Sequence, residues 1–157
     1  MKPNIGISKE NLSAVAELLS LVLANEVTLY IKTRKFHWNV AGDSFMEYHK
    51  LFEEQYKMLE EDIDEVAERI GKLGSKTIGT MHEYGKLATI KENPDKYPSS
   101  KEMVSELLED HETVIVELRK AVNECADKFS DIGTADFLTG LMEQHETISW
   151  TLRRYLK

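Results

Sequence analysis

The sequence predicts an all-α fold, a four-helix bundle with one long crossover between its second and third helices. Apolar residues recur at spacings of three and four along four long stretches, as they do on one face of a helix. The chain has 157 residues, enough for one domain, and its eight Gly and three Pro are few for a many-turned β fold. We expect a short tail over residues 1–7 and a single domain over residues 8–157.

The first helical pair is the most regular part of the pattern. Ser8 is a suitable cap for a helix that runs to about Phe36. A turn over residues 41–44, which includes capping side chains, leads to the second helix. The apolar spacing of this helix is unbroken from Phe45 to Leu73, which corresponds to about 40 Å at the rise of an α-helix.

The second helical pair follows a long connection over residues 74–98, in which one short helix is predicted around residues 81–89. Ser99 and Glu102 stand at capping-box spacing and predict the start of the third helix. A loop over residues 130–134 leads to the fourth helix. Short turns within each pair and a long segment between the pairs predict the single-crossover topology of a ferritin-like four-helix bundle.

The composition excludes several classes of function. The formal net charge is −8, from 28 Asp and Glu against 20 Lys and Arg, which disfavours nucleic acid and favours cations as partners. Cys125 is the only cysteine, which excludes a disulfide framework and agrees with a cytoplasmic location. No apolar run approaches the roughly 18–20 residues that cross a bilayer, so no membrane association is expected.

Metal chemistry remains the main possibility for a helical bundle. Di-iron bundles commonly carry Glu-x-x-His on two helices. The residues three positions before the five histidines are Arg34, Met46, Gly79, Leu108 and Met142. None of them is Glu, so we expect no metal site inside a single bundle. His111 and His145 lie on apolar stripes and are interpreted as core residues.

A different set of ligands could meet between two chains. His37 ends the first helix and His49 opens the second, whereas Asp64 and Glu68 lie one helical turn apart near the far end of the second helix. His49 and Asp64 are 15 residues apart, or about 22 Å along a straight helix. Metal–ligand bonds are only about 2.0–2.6 Å long, so one chain cannot bring these four side chains to one metal. Two antiparallel chains can.

The donor types in this set suit Fe(II), Zn or Mn. Spacing alone leaves other interpretations open. A histidine on an amphipathic helix is often a core or interface residue, and Asp64 with Glu68 can be an ordinary solvated helix face. A purely structural helical oligomer therefore remains an alternative at this point.

Several segments closely resemble the Dps family, the mini-ferritins named as DNA-binding proteins from starved cells. They are the run from Lys35 to Gly42, then Phe45 and His49, the run from Asp64 to Ile70, and the run from Gly133 to Asp136. The similarity extends from about residue 8 to residue 156. The order His, His, Asp, Glu with spacings of 12, 15 and 4 is its most specific part.

The resemblance implies a hollow homododecamer built from two-fold dimers, with an iron-oxidising centre of di-iron type at each two-fold interface. His37, His49, Asp64 and Glu68 match the family's metal ligands. It also implies that Fe(II) is oxidised preferentially by hydrogen peroxide and that ferric oxyhydroxide is stored inside the shell. Such chemistry would protect the cell from oxidative damage.

The resemblance also assigns residues outside the ligand set. Trp38 matches a tryptophan beside the iron centre that can trap a stray oxidant, and the alternative is packing at the dimer interface. Asp131 and Asp136 match acids that line iron-conducting pores on the three-fold axes, with Asp127 as a further candidate. Capping of the last helix is the alternative role for Asp131.

The family name includes DNA binding, and a nucleoid-compacting stress protein with secondary ferroxidase activity is the alternative function. Family members that coat DNA commonly use lysine-rich terminal extensions. This N-terminus offers only Lys2 before Lys9. Because binding to phosphates needs clustered cations, direct DNA binding and nucleoid association are not expected.

Overall fold

The computed structural model describes residues 3–157, so Met1 and Lys2 of the expected tail lie outside the described residues. Those residues form five α-helices and one π-helical turn, with no strand between residues 3 and 157. The helices are α1 (Lys9–Asn39), α2 (Phe45–Lys72), α3 (Met81–Leu87), α4 (Ser100–Asn123) and α5 (Ile132–Tyr155). The prediction of an all-α fold is therefore confirmed.

The four long helices form two antiparallel pairs, in which α1 packs against α2 and α4 packs against α5. Contacts between the pairs fix their relative direction. Arg69 near the end of α2 donates a hydrogen bond to Thr134 at the start of α5, and Asp62 accepts one from Gln144 further along α5. Because α2 and α5 are antiparallel, α2 and α4 are parallel, as the predicted crossover requires.

The crossover between α2 and α4 is fastened to α1 at two points. The Asn25 side chain accepts a 2.8 Å hydrogen bond from the Thr89 backbone N–H and donates one of 2.6 Å to Glu117 on α4. Lys35 donates a 2.8 Å hydrogen bond to the carbonyl oxygen of Asn93. These polar contacts hold the long connection along α1 until the chain reaches α4.

Of the side-chain caps predicted for the first three long helices, two are present. Ser8 accepts a hydrogen bond from the Asn11 N–H, and Ser99 with Glu102 forms the complete capping box. Ser44 makes no side-chain cap on α2. Its φ of 59° lies in the left-handed region, whereas side-chain capping needs an extended residue, so the predicted cap at this turn is wrong.

The third long helix ends earlier than its apolar pattern predicts. α4 stops at Asn123, and Glu124–Lys128 form a π-helical turn that contains the fully buried Cys125. The backbone N–H of Asp131 donates to the carbonyl oxygen of Cys125, at 2.8 Å. The wider turn therefore leads directly into the N-terminus of α5.

The apolar faces of the long helices form one continuous core. By length and composition alone α1 could cross a membrane, because residues 14–31 carry only Glu17 and Glu26 as charges. The prediction that no apolar run approaches this length is wrong for α1. Most of the stretch is buried in the bundle, where Leu19 and Leu23 have no exposed surface.

Candidate metal centre

The end of α1 and the start of α2 bring His37 and His49 together. Their rings stack with centroids 3.7 Å apart. His37 Nδ1 lies 2.8 Å from the carbonyl oxygen of His49, and His49 Nδ1 lies 2.9 Å from the carbonyl oxygen of His37. A carbonyl oxygen can only accept, so each Nδ1 carries the proton and donates. Both Nε2 lone pairs remain available to a metal, and the reciprocal bonds fix the orientation of the rings.

Aromatic side chains surround this histidine pair. The Phe45 ring lies 5.0 Å from the His49 ring, and the Tyr56 ring lies 5.2 Å from the His37 ring. The Arg34 guanidinium lies over the rings of Tyr56 and Trp38, at 4.5 and 5.3 Å. Trp38 itself is 63% exposed. The pair is therefore held by a rigid aromatic environment with one large apolar side chain at the surface.

Asp64 and Glu68 lie one turn apart on the distant part of α2, and both are exposed. Glu68 forms an ion pair with Lys72, at 3.1 Å. His49 and Asp64 share the same continuous helix, so the separation of about 22 Å deduced from the helical rise applies. The single chain thus brings the two histidines together but leaves both carboxylates far from them. Assembly of all four ligands stays a prediction.

The three predicted pore acids have different environments. Asp127, in the π-helical turn, and Asp136, in the first turns of α5, are exposed. Asp131 is buried at the N-terminus of α5, where Oδ1 accepts from the Thr134 N–H at 2.9 Å and from Arg69 at 3.2 Å. Helix capping, the alternative role, is thus present for Asp131. The pore role of the three acids stays a prediction.

A second cluster of polar side chains lies inside the bundle. Glu26, His111 and His145 have no exposed surface, and Asp62 has 6%. His145 Nε2 is 2.9 Å from Glu26 Oε1, and His145 Nδ1 is 2.8 Å from His111 Nδ1. Ligand atoms of Glu26, Asp62 and His145 all lie within 4.8 Å of one another. The expectation that the bundle interior offers no candidate metal site is therefore wrong.

The search for Glu-x-x-His missed this cluster because each of its side chains comes from a different helix. One signal was present in the sequence. Glu26 interrupts the most apolar part of α1, where a charged side chain must find a buried partner. The sequence alone does not show that His145 is that partner, since the contact depends on how α1 and α5 pack.

Electrostatic interactions within the cluster assign its protons. Burial lowers the pKa of His111 well below its usual value, so this ring is neutral. Burial also disfavours a charged His145, but the Glu26 carboxylate outweighs it and raises the pKa of His145. Burial, followed by repulsion from Glu26, raises the pKa of Asp62 to about 7. The direction of these shifts agrees with the contacts, in which His145 is placed to donate to both Glu26 and His111.

Comparison with known proteins identifies the family. The ferritin-like domain family matches residues 16–157. The DNA protection during starvation protein 2 of Bacillus anthracis is 38% identical, over 90% of this chain and 96% of its own length. The chain belongs to the ferritin-like family, among the Dps proteins. The predicted membership of the Dps family is thus confirmed.

Two further proteins are similar to this chain over nearly its whole length. A low temperature-induced protein of Nostoc sp. is 47% identical, over 98% of this chain and 86% of the Nostoc chain. The crystal structure of a Vibrio cholerae Dps protein superposes with a TM-score of 0.93 at 30% identity, over 99% of this chain and 97% of that chain. That protein is described as a member of a superfamily of ferritin-like diiron-carboxylate proteins. Membership of the Dps proteins supports iron storage and stress protection as the broad function.

Proposed function

We propose that this chain is a ferroxidase that oxidises Fe(II), preferentially with hydrogen peroxide, and stores ferric oxyhydroxide in a hollow dodecamer. The observation that carries the proposal is the reciprocal hydrogen bonding of His37 and His49, which leaves two Nε2 lone pairs oriented for a metal. Exposed carboxylates at the other end of α2, Asp64 and Glu68, supply the ligands that the single chain does not bring close.

A two-fold dimer of antiparallel α2 helices completes the site. One such contact places the histidines of each chain beside the carboxylates of the other, so it creates two equal sites. The surface beside the histidines favours a partner there, because Trp38, Phe45 and Met46 are 63%, 38% and 56% exposed in the single chain. Neighbouring exposed apolar side chains of this size are typical of an interface.

The ligand set explains why oxidation is favourable. Carboxylates stabilise the higher charge of Fe(III) more than that of Fe(II). Two Fe(II) ions each give one electron to hydrogen peroxide, and its O–O bond breaks. With two water molecules the products are two FeO(OH) units and four protons. Because both electrons reach one peroxide, no hydroxyl radical is released. Zn or Mn could occupy the same ligands.

Trp38 has a proposed protective role in this chemistry. Its indole follows His37 directly in the chain and is a large, exposed, oxidisable group. It would donate an electron to a stray oxidant formed at the site. Packing against the partner chain is the alternative, and a Trp38→Phe variant separates the two. We expect normal dimers and normal iron oxidation with peroxide, but more oxidative damage to DNA added to the reaction.

Iron reaches the interior, under this proposal, through openings lined by acids. Asp127 and Asp136 are exposed, and the buried Asp131 is held by its contacts with Arg69 and Thr134. Three copies around an axis would attract cations, and a net charge of −8 per chain adds to this attraction. Asp136→Asn should slow mineral formation more than it slows binding of the first Fe(II) ions.

Mixed dimers provide the sharpest test of the two-chain site. His37→Ala and the double variant Asp64→Ala/Glu68→Ala should each lower the rate of Fe(II) oxidation by peroxide at least about tenfold. A dimer with one chain of each kind contains one site without either mutation. In an equimolar mixture with random pairing about half of the dimers are mixed, and each mixed dimer has one intact site of two. We therefore expect mixing the two inactive variants to restore about a quarter of the parent rate per dimer.

His82→Ala is the matched control, because this histidine is exposed on α3 and outside the proposed set. It should leave the rate unchanged. If all four ligands came from one chain, mixed dimers would have no activity. That result would overturn the two-chain assignment. Assays with dioxygen in place of peroxide test the preferred oxidant, since comparable rates would remove the proposed preference.

A further inference from the structure

We propose that this chain has a second metal site, buried inside the bundle, in which Glu26, Asp62 and His145 hold a single divalent transition-metal cation. Glu26 comes from α1, Asp62 from α2 and His145 from α5. His111, on α4, contacts His145 and orients it. Each of the four long helices thus supplies one side chain, and the site lies within one chain rather than between two.

This site is separate from the proposed ferroxidase centre. Asp62 and Asp64 are two residues apart, so they lie about 200° apart around α2. The structure buries Asp62 against α5, where it accepts a 2.7 Å hydrogen bond from Gln144, and leaves Asp64 exposed on the other side. A cation bound by Asp62 inside the bundle therefore does not require a partner chain.

The distances within the cluster fit one cation. Glu26 Oε1 and His145 Nε2 are 2.9 Å apart. Two ligand atoms that bind one metal at right angles, with bonds of about 2.1 Å, are about 3.0 Å apart. Asp62 supplies a third ligand atom within 4.8 Å of the other two. Opposite ligands of one metal are about 4.2 Å apart, so a cation requires only a small inward shift of the Asp62 carboxylate.

An unpartnered carboxylate oxygen points to a missing ligand. Glu26 Oε2 is fully buried and has no hydrogen-bond partner among residues 3–157. The contact with His145 satisfies only one of the two Glu26 oxygens. Buried carboxylate oxygens are nearly always paired, because leaving one without a partner costs free energy. A cation between Glu26 and Asp62 would contact the remaining oxygen.

The neighbours of the cluster position its ligands as in a metal site. When a metal takes the Nε2 position of His145, the proton on Nδ1 remains and donates to His111 Nδ1, at 2.8 Å. Metal-bound histidines almost always donate their second ring N–H in this way. Gln144 holds the Asp62 carboxylate similarly. His111 and Gln144 are therefore positioning residues rather than ligands.

Another acidic cluster between helices provides a contrast. Lys32 lies 2.6 Å from Asp110 and 3.0 Å from Glu106, so an ammonium group of the chain already supplies the cation. The cluster around Glu26 has no lysine or arginine hydrogen-bonded to it among the described residues. Two carboxylates with one imidazole and no thiolate suit Fe(II), Mn(II) or Zn(II).

The experiment removes the interface ligands first. Protein with Asp64→Ala/Glu68→Ala is stripped with a chelator, loaded with Zn(II) or Co(II), desalted and analysed for metal per chain. We expect about one bound ion per chain, a melting temperature that rises with Zn(II), and the visible absorption of Co(II) with nitrogen and oxygen ligands. Adding Glu26→Gln should abolish all three signals, whereas Asp110→Asn in the same background should retain them.

Failure to bind metal in the Asp64→Ala/Glu68→Ala background would overturn the proposal, as would full binding after Glu26→Gln. If Glu26→Gln does not fold, a crystal of the background variant soaked in Zn(II) decides the question. An anomalous peak between Glu26, Asp62 and His145 supports the site, and its absence at a concentration that saturates surface sites excludes it. Neither readout depends on iron oxidation, so the result is independent of the proposed function.

Discussion

A histidine binds a metal through a ring nitrogen that carries no proton, and backbone geometry decides which nitrogen of His37 and of His49 faces a metal. The carbonyl oxygens of His37 and His49 each accept from the other ring, so both Nδ1 protons are held in place. At His145 both ring nitrogens instead contact side chains, Glu26 at Nε2 and His111 at Nδ1. A metal that binds His145 Nε2 must therefore replace its hydrogen bond to Glu26, whereas the hydrogen bonds of His37 and His49 involve Nδ1 and leave Nε2 to a metal.

The thiol of Cys125 should be unreactive in the folded protein. Burial, followed by repulsion from Asp131 and Glu124, raises the pKa of this thiol to about 11. The thiolate, which is the reactive form, is therefore scarce below that pH. We expect very slow labelling by a disulfide reagent at pH 8 and complete labelling in guanidinium. Rapid labelling of the folded chain would contradict this prediction.

At the scale of the helix, stability depends on how the ends are capped and on how the crossover is attached. Ser8 caps α1. Replacing it should destabilise the protein, because the first N–H groups of a helix have no partner within the helix. Ser8→Ala should lower the free energy of unfolding by about 0.5–2 kcal/mol, measured by urea denaturation. Ser13→Ala, at an exposed position inside the same helix, is the control and should change it little.

The crossover should loosen when its attachment to α1 is removed. Asn25 is buried and bonds to Thr89 and Glu117, so Asn25→Ala leaves their polar groups without this partner. We expect a loss of about 1–3 kcal/mol in unfolding free energy and faster hydrogen exchange over residues 74–98. Asn123→Ala, an exposed change on α4, should affect neither measurement. Unchanged exchange in the Asn25 variant would show that other contacts hold the crossover.

At the scale of the whole molecule, the proposed assembly fixes mass and charge. Twelve chains of 18.0 kDa make a particle of about 216 kDa, which light scattering after gel filtration would detect. A monomer that still oxidises iron at the parent rate would contradict the two-chain site. A mass between those of a dimer and a dodecamer would contradict the proposed twelve-chain shell but not the proposed two-chain site.

The same particle should bind DNA poorly. Twelve chains at −8 each carry a formal charge of −96, which repels the phosphate backbone. Arg153, near the end of α5, already pairs with Glu112 at 2.6 Å. We expect no retardation of linear DNA in a gel-shift assay at moderate salt. Retardation that disappears on chelation would indicate bridging by divalent cations, and retardation that persists would favour the nucleoid-compacting alternative.

The sequence predicted the helices because their apolar spacing is a local property, and it predicted the separation of His49 from Asp64 because one helix carries both. It did not predict the contact between Glu26 and His145, since these residues are 119 positions apart and meet only after packing. The absent cap at Ser44 has a local cause, because a left-handed residue cannot be inferred from a serine at that position.

The polar layer formed by Glu26, Asp62, His111 and His145 has a consequence for how the bundle aligns during folding. Apolar faces alone tolerate sliding of one helix along another. Displacing α5 by one turn, about 5.4 Å, would move His145 away from Glu26 and leave a buried carboxylate against aliphatic carbon. Only one alignment avoids that penalty, so these four side chains select the native alignment among otherwise similar packings.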